Sequence, residues 1–264
     1  MGSVDAATLE GVMQQVMVGG LSLVRVLAVL AAAPLFSHIG IPAIFKASFA
    51  LLITLALLPG LPPQPVLDLH PWVLGLLVIK EALIGFFIGF TSSAVLYAAR
   101  FAGGLLDLDI GFQTALLFDP GLGGFPTLVG EFFAFATLML FLWLDGPRAL
   151  VVALSESIRI IPLTTVEFPA IAGPDLIRWV GALTALALNI AAPVMAALFV
   201  SLWALALLAR TAPQINIFML SFSVKVIVGI GMLFLSTPLL VVLLRNATQM
   251  LQSNVVQLVR ALYP

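Results

Sequence analysis

The chain has 264 residues, 62% of them hydrophobic and only 9% charged, with a formal net charge of −1 and a mean hydropathy of +1.21. Soluble domains carry about 25% charged residues, so the composition specifies a helical integral membrane protein, and the near-neutral charge excludes nucleic acid or an acidic surface as an implied partner. The absence of cysteine excludes disulfides, thiol catalysis and thiolate metal sites.

Residues 1–15 are mildly acidic (Asp5, Glu10) and read as an opening helix or a frayed end. No basic residue precedes Arg25, so a cleaved signal peptide is not expected. Val16 to Phe36 is long enough to span a hydrocarbon core of roughly 30 Å. Arg25 lies well inside that run, and Pro34 ends or bends it. A turn over Ser37 to Pro42 leads to a second apolar run, Ala43 to Leu58, entered by Lys46. The prolines between Pro59 and Pro65 then make a stiff connector.

Trp72 to Gly103 predicts one helix of about 48 Å, longer than a bilayer. One face carries Glu81, Gly85, Gly89, Ser92, Leu96, Ala99 and Gly103 at steps of three and four. Gly85 and Gly89 form a GxxxG, a surface that lets another helix backbone approach closely.

The central stretch, residues 107–131, is apolar yet carries three aspartates, a glutamate, two prolines and a run of glycines. Asp119-Pro120-Gly121 with Gly123, Gly124 and Pro126 breaks any helix. Irregular backbone at membrane depth is tolerated only where protein buries it or where it lines a cavity. The stretch is therefore either an ordinary hydrophobic loop or a segment inside an assembly, facing a path.

Phe132 to Leu144 is short for a span and stops at Asp145-Gly146-Pro147. Arg148 to Ile161 is amphipathic, with Glu156 and Arg159, and Pro162 closes it. Thr164 to Pro174 reads as a polar loop. Asp175 to Ala209 is overlong, about 50 Å if unbroken, with a kink expected at Pro193. Arg210 to Asn216 is a tight connection. Ile217 to Leu244 is the last apolar run, interrupted by Lys225, and residues 245–264 read as an amphipathic tail lying on a surface. Basic residues fall almost equally on alternate loops, so the positive-inside rule gives no orientation.

Little points to an enzyme. His38 and His70 sit beside loops, outside any HExxH, and Ser155 and Ser157 have no neighbouring histidine. No cofactor is implied. The intramembrane charges are more informative, since each costs about 2.5–3.5 kcal/mol at mid-bilayer. Snorkelling suits Arg178 and Lys80. An interior position suits Glu81, on the glycine face, and Lys225, with long apolar flanks.

Taken in order, several of these features resemble the FliR/SctT family of type III export-gate subunits. The carriers are Lys80-Glu81 with Gly85 and Gly89, Gly103 and Asp107, and Gly111-Phe112 leading to Asp119-Pro120. After them come Phe141-Leu142 with Gly146, and Ala212-Pro213-Gln214-Ile215-Asn216-Ile217-Phe218 followed by Lys225. The form of that last motif is closer to flagellar members. Ser223 departs from the proline often found two residues before the lysine.

The resemblance implies an all-α membrane protein of long, partly broken hairpins. Residues 1–175 would be FliP-like in fold and residues 176–264 a FliQ-like hairpin with its tail. It implies assembly with FliP-like and FliQ-like subunits and a FlhB-like switch subunit in the bacterial inner membrane, within the flagellar basal body. Unfolded export substrates would pass through that gate. It further implies that the central loop plugs the pore through Phe112, Leu116, Leu117, Phe118, Asp119, Pro120 and Phe125. Glu81, Gly85, Gly89 and Gly103 would pack helices, Lys225 would be a buried charge, and Pro213, Gln214 and Asn216 would form the connection motif. A small-molecule or ion transporter is the rival class, because transporters also combine broken helices with mid-membrane charges.

Overall fold

The computed structural model describes residues 6–36, 41–61, 64, 70–112, 127–166, 173–212, 214 and 216–261, with side chains described except at 6–10, 173–176 and 250–261. Among the described residues, seven α-helices follow one another: α1 (Ala6–Ala32), α2 (Ala43–Leu57), α3 (Pro71–Ile110), α4 (Leu128–Trp143), α5 (Gly146–Ile160), α6 (Gly173–Thr211) and α7 (Ile217–Ala261). No strand occurs among the described residues. Among the described residues, five helices are long and apolar enough to cross a membrane: α1, α2 with its short 3-10 extension, α3, α6 and α7. The chain is an all-α membrane protein.

Several boundaries follow from local chemistry. α1 stops at Ala32, two residues before Pro34, whose ring cannot continue a helix. Pro71 opens α3, where its missing N–H costs nothing. Asp145 takes a left-handed conformation, φ 56°, which aspartate tolerates better than most residues, and Pro147 stands in the first turn of α5.

Three of the boundaries differ from expectation. α3 runs to Ile110 rather than Gly103, so Asp107 and Asp109 are helical and the central stretch begins on a helix. The run from Leu105 to Ile110 contains neither proline nor glycine to break it, and Gly103-Gly104 is tolerated because Gly103 packs against another backbone. At the other end, α4 already includes residues 128–131. Likewise α7 passes Arg245 without a break and continues to Ala261 rather than yielding a separate tail. The residues after Arg245 offer no glycine or proline to stop it before Pro264.

By packing, the chain divides into two compact units that interleave in sequence. The first comprises Met1–Ser93, Asp145–Ala172 and Met250–Pro264, and the second Ala94–Leu144 and Gly173–Gln249. In the first, Val26, Val29 and Leu30 of α1, Ala50 of α2, Ile84 and Ile88 of α3, and Ala153 and Leu154 of α5 form one apolar core. Val18, Leu21, Leu77, Ile158 and Leu163 form another. In the second unit, α6 buries Ala187, Ile190, Ala191, Val194, Leu198 and Leu205, spaced for one helical face.

Candidate functional site: buried charges and the base of the central segment

Among its described residues, the first unit holds three charged side chains with no exposed surface: Arg25 on α1 and Lys80 and Glu81 on α3. Glu81 bridges the two cations. Arg25 Nε donates to its Oε2, and Lys80 Nζ lies 2.9 Å from its Oε1. Arg25 also donates to Ser157 Oγ (3.2 Å) and to the Ile161 carbonyl (3.1 Å). Lys80 Nζ donates to the carbonyls of Pro162 (2.7 Å), Leu163 (3.4 Å) and Thr165 (2.8 Å). Lys80 is therefore not a snorkelling residue. Three carbonyls match the three N–H donors of its ammonium, so it has no need to reach water. Arg25, in the middle of an apolar helix, is a partner that the sequence does not single out; its charge, opposite to that of Glu81, is the only signal.

The small face of α3 supports this arrangement. A Cβ at Gly85 would collide with the Arg25 carbonyl oxygen and approach Ala28 Cβ to 2.8 Å. At Gly89 it would collide with the Val29 carbonyl oxygen and approach Ala32 Cβ to 2.8 Å. The helix that approaches the glycines is thus α1 of the same chain. Ser93 Oγ adds a hydrogen bond to the Ala32 carbonyl at 2.6 Å. Close approach brings Arg25 within reach of Glu81.

In the second unit, α3 and α4 meet through a second pair of glycines. A Cβ at Gly103 would fall on the Gly130 backbone, and one at Gly130 would lie 2.9 Å from the Arg100 carbonyl oxygen. Fully buried Asp107 accepts hydrogen bonds from Val129 N–H (3.1 Å to each oxygen) and Gly130 N–H (3.3 Å). It thereby caps the N-terminus of α4, where N–H groups lack intrahelical partners and negative charge is favoured. Arg100 and Glu131 add a half-exposed ion pair at 3.0 Å. Gly111, φ 97°, ends α3, with its N–H and that of Phe112 both donating to the Asp107 carbonyl. The chain leaves α3 at Phe112 and returns at Thr127 beside the same aspartate.

Of the residues assigned to the plug, Phe112 is half-buried at the end of α3; Leu116, Leu117, Phe118, Asp119, Pro120 and Phe125 lie outside the described residues. So does Pro213. Gln214 is exposed, and Asn216 caps α7 through its side-chain oxygen, 3.4 Å from Met219 N–H. Lys225 is half-buried in α7, less enclosed in this single chain than the interior position expected of it, and Arg178 is exposed. Among the described residues, no group of three or more His, Asp or Glu side chains is placed to hold a metal.

Residues 16–251 match the model of the family described as "Bacterial export proteins, family 1". The chain belongs to this family. The flagellar biosynthetic protein FliR of Pectobacterium carotovorum is 33% identical over 82% of this chain and 83% of its own. The FliR of Bacillus subtilis is 28% identical over 84% and 87%. The Yop proteins translocation protein T of Yersinia pestis is 28% identical over 66% and 67%. The family match takes in Arg25, Lys80, Glu81 and Asp107, so both buried polar sites lie within the shared family region.

Proposed function

We propose that this protein is a subunit of the type III protein export gate in flagellar biosynthesis, lining the channel by which unfolded substrates cross the bacterial inner membrane. One observation carries the reading: relatives named as flagellar biosynthetic proteins align with more than four-fifths of this chain and of their own length. A small-molecule or ion transporter is disfavoured by the same family membership. In this reading the partners are FliP-like and FliQ-like subunits and a FlhB-like switch subunit, with residues 1–175 resembling the first of these in fold and residues 176–264 the FliQ-like hairpin.

The central segment is the closed-state plug of that gate. Phe112, Leu116, Leu117, Phe118 and Phe125 would exclude water from a narrow pore, as hydrophobic constrictions do. Burying each side chain contributes about 1.5–3 kcal/mol, so several hold a gate shut with no ionic lock to break. Asp119-Pro120 would set where the loop turns back. The pinned stem at Asp107, Gly103 and Gly130 supports this reading, since a plug needs a firm base.

Co-expression with the FliP-like and FliQ-like proteins of the same genome tests the proposal. The expected result is one detergent-stable complex of all three. Isolation of this chain as a lone homodimer in the presence of both would overturn it and favour a transporter.

A further inference from the structure

Arg25, Lys80 and Glu81 bring two positive charges and one negative into a site without solvent exposure. Neutral oxygens take up the extra positive charge. Three carbonyls, from Pro162, Leu163 and Thr165, converge on Lys80 Nζ at 2.7–3.4 Å, with Glu81 Oε1 at 2.9 Å. The ammonium of Lys80 thus stands among four oxygens just past the C-terminal end of α5, where the helix dipole also favours positive charge. The turn that supplies the carbonyls is not helical. Arg25 holds only its entry, at the Ile161 carbonyl, and Gln64 Oε1 accepts from Leu163 N–H at 2.9 Å.

We propose that Lys80 is a charge-dependent latch that holds the 162–165 turn onto α3 and can release it while the Arg25–Glu81 pair stays intact. Glu81 is shared, so removing the ammonium leaves a neutral Arg–Glu pair rather than a stranded carboxylate. Removing Arg25 instead leaves Lys80 on its carbonyls. The two cations have separable roles: Arg25 joins α1 to α3, and Lys80 closes the turn. This goes beyond the export reading and does not depend on it.

Thr164 supplies a reporter. It is buried, it lies between two of the carbonyls that Lys80 holds, and its hydroxyl has no hydrogen-bond partner among the described residues. The chain contains no cysteine, so Thr164→Cys places a single thiol there. In membranes, that thiol should react slowly with a small methanethiosulfonate reagent. Adding Lys80→Met should raise the labelling rate on the order of a hundredfold, because the carbonyls of Pro162, Leu163 and Thr165 lose the donor that holds them; adding Arg25→Met should not. In Lys80→Ala, propylammonium replaces the deleted atoms and should restore protection, whereas tetramethylammonium at equal ionic strength should not. Fast labelling of the thiol with Lys80 intact, or equal protection in Lys80→Met, overturns the latch. Should the Lys80 variants fail to accumulate, Gln64→Ala decides: the thiol stays protected if Lys80 holds the turn, and full exposure in that variant overturns the proposal.

Discussion

Single atoms decide the packing of α3. Gly85 and Gly89 face backbone oxygens of α1, and a Cβ at either has nowhere to go, because the obstruction is backbone and not a flexible side chain. Gly75, earlier in the same helix, faces open space. Gly85→Leu and Gly89→Leu should each lower thermal stability in detergent by more than the roughly 1–3 kcal/mol usual for overpacking, since α1 must withdraw. Gly75→Ala should be neutral or slightly stabilising, by about 0.5–1 kcal/mol at most. Equal melting temperatures for Gly89→Leu and the unaltered protein would show that the α1–α3 approach is not tight. Asp107 is a second such position. Asp107→Ala removes the acceptor for two buried N–H groups, each costing about 1–3 kcal/mol when unsatisfied. Asp107→Asn retains one carbonyl oxygen and should lose clearly less, an order that thermal denaturation of the two variants checks.

At the scale of elements, α3 links sites of different kinds. Its first part carries Lys80 and Glu81, and its last turns carry Gly103 and Asp107 against α4. The central segment thus joins two helix ends tied by one carboxylate. If that segment is the plug, deleting residues 113–126 and joining the ends through a short glycine linker should leave the complex assembled and make the membrane leak ions. Phe112→Ser with Phe118→Ser should leak in the same direction but less. A loop-deleted complex of normal yield in a membrane that remains tight in a conductance assay would sink the plug assignment. Asp107→Ala should leak only if the stem rather than the segment itself positions the seal, so the two measurements separate stem from plug.

For the whole molecule, what is left uncovered is as telling as the core. Only 11% of an apolar 18-residue stretch within Ile217–Gln249 of α7 is buried within the chain, against 39% for the corresponding stretch of α1. Phe218, Met219, Ile227, Phe234 and Leu235 are each exposed by two-thirds or more. At about 1.5 Å per residue, the 39 residues of α6 and 45 of α7 give lengths near 58 and 68 Å, about twice a hydrocarbon core. Helices of that length, apolar on most sides, belong against lipid or other subunits. Lys225 belongs to the same argument. Half-buried on α7, it would be costly facing lipid. In the assembled gate, Lys225→Glu should reduce complex yield more than Lys225→Leu, because it puts a negative charge where the site accommodates a positive one, whereas leucine leaves no charge to satisfy. Equal yields for both variants and the unaltered protein, after co-purification, would make Lys225 a snorkelling residue.

Composition and periodicity alone determined that this is a helical membrane protein, where its long apolar runs lie, that α3 presents a small-residue face, and that α3 and α4 are separate helices. Those properties are local: hydropathy, glycine and proline act through the residue that carries them and its near neighbours in sequence. Lys80 illustrates the limit. A lysine in an apolar run reads as a snorkeller, and only the fold brings three carbonyls more than eighty residues away onto its ammonium. Asp107, read from sequence as part of a loop, is a helical residue whose carboxylate meets the N–H groups of Val129 and Gly130. Which partner satisfies a buried charge depends on contacts distant along the chain, and that is what the tertiary structure alone decided.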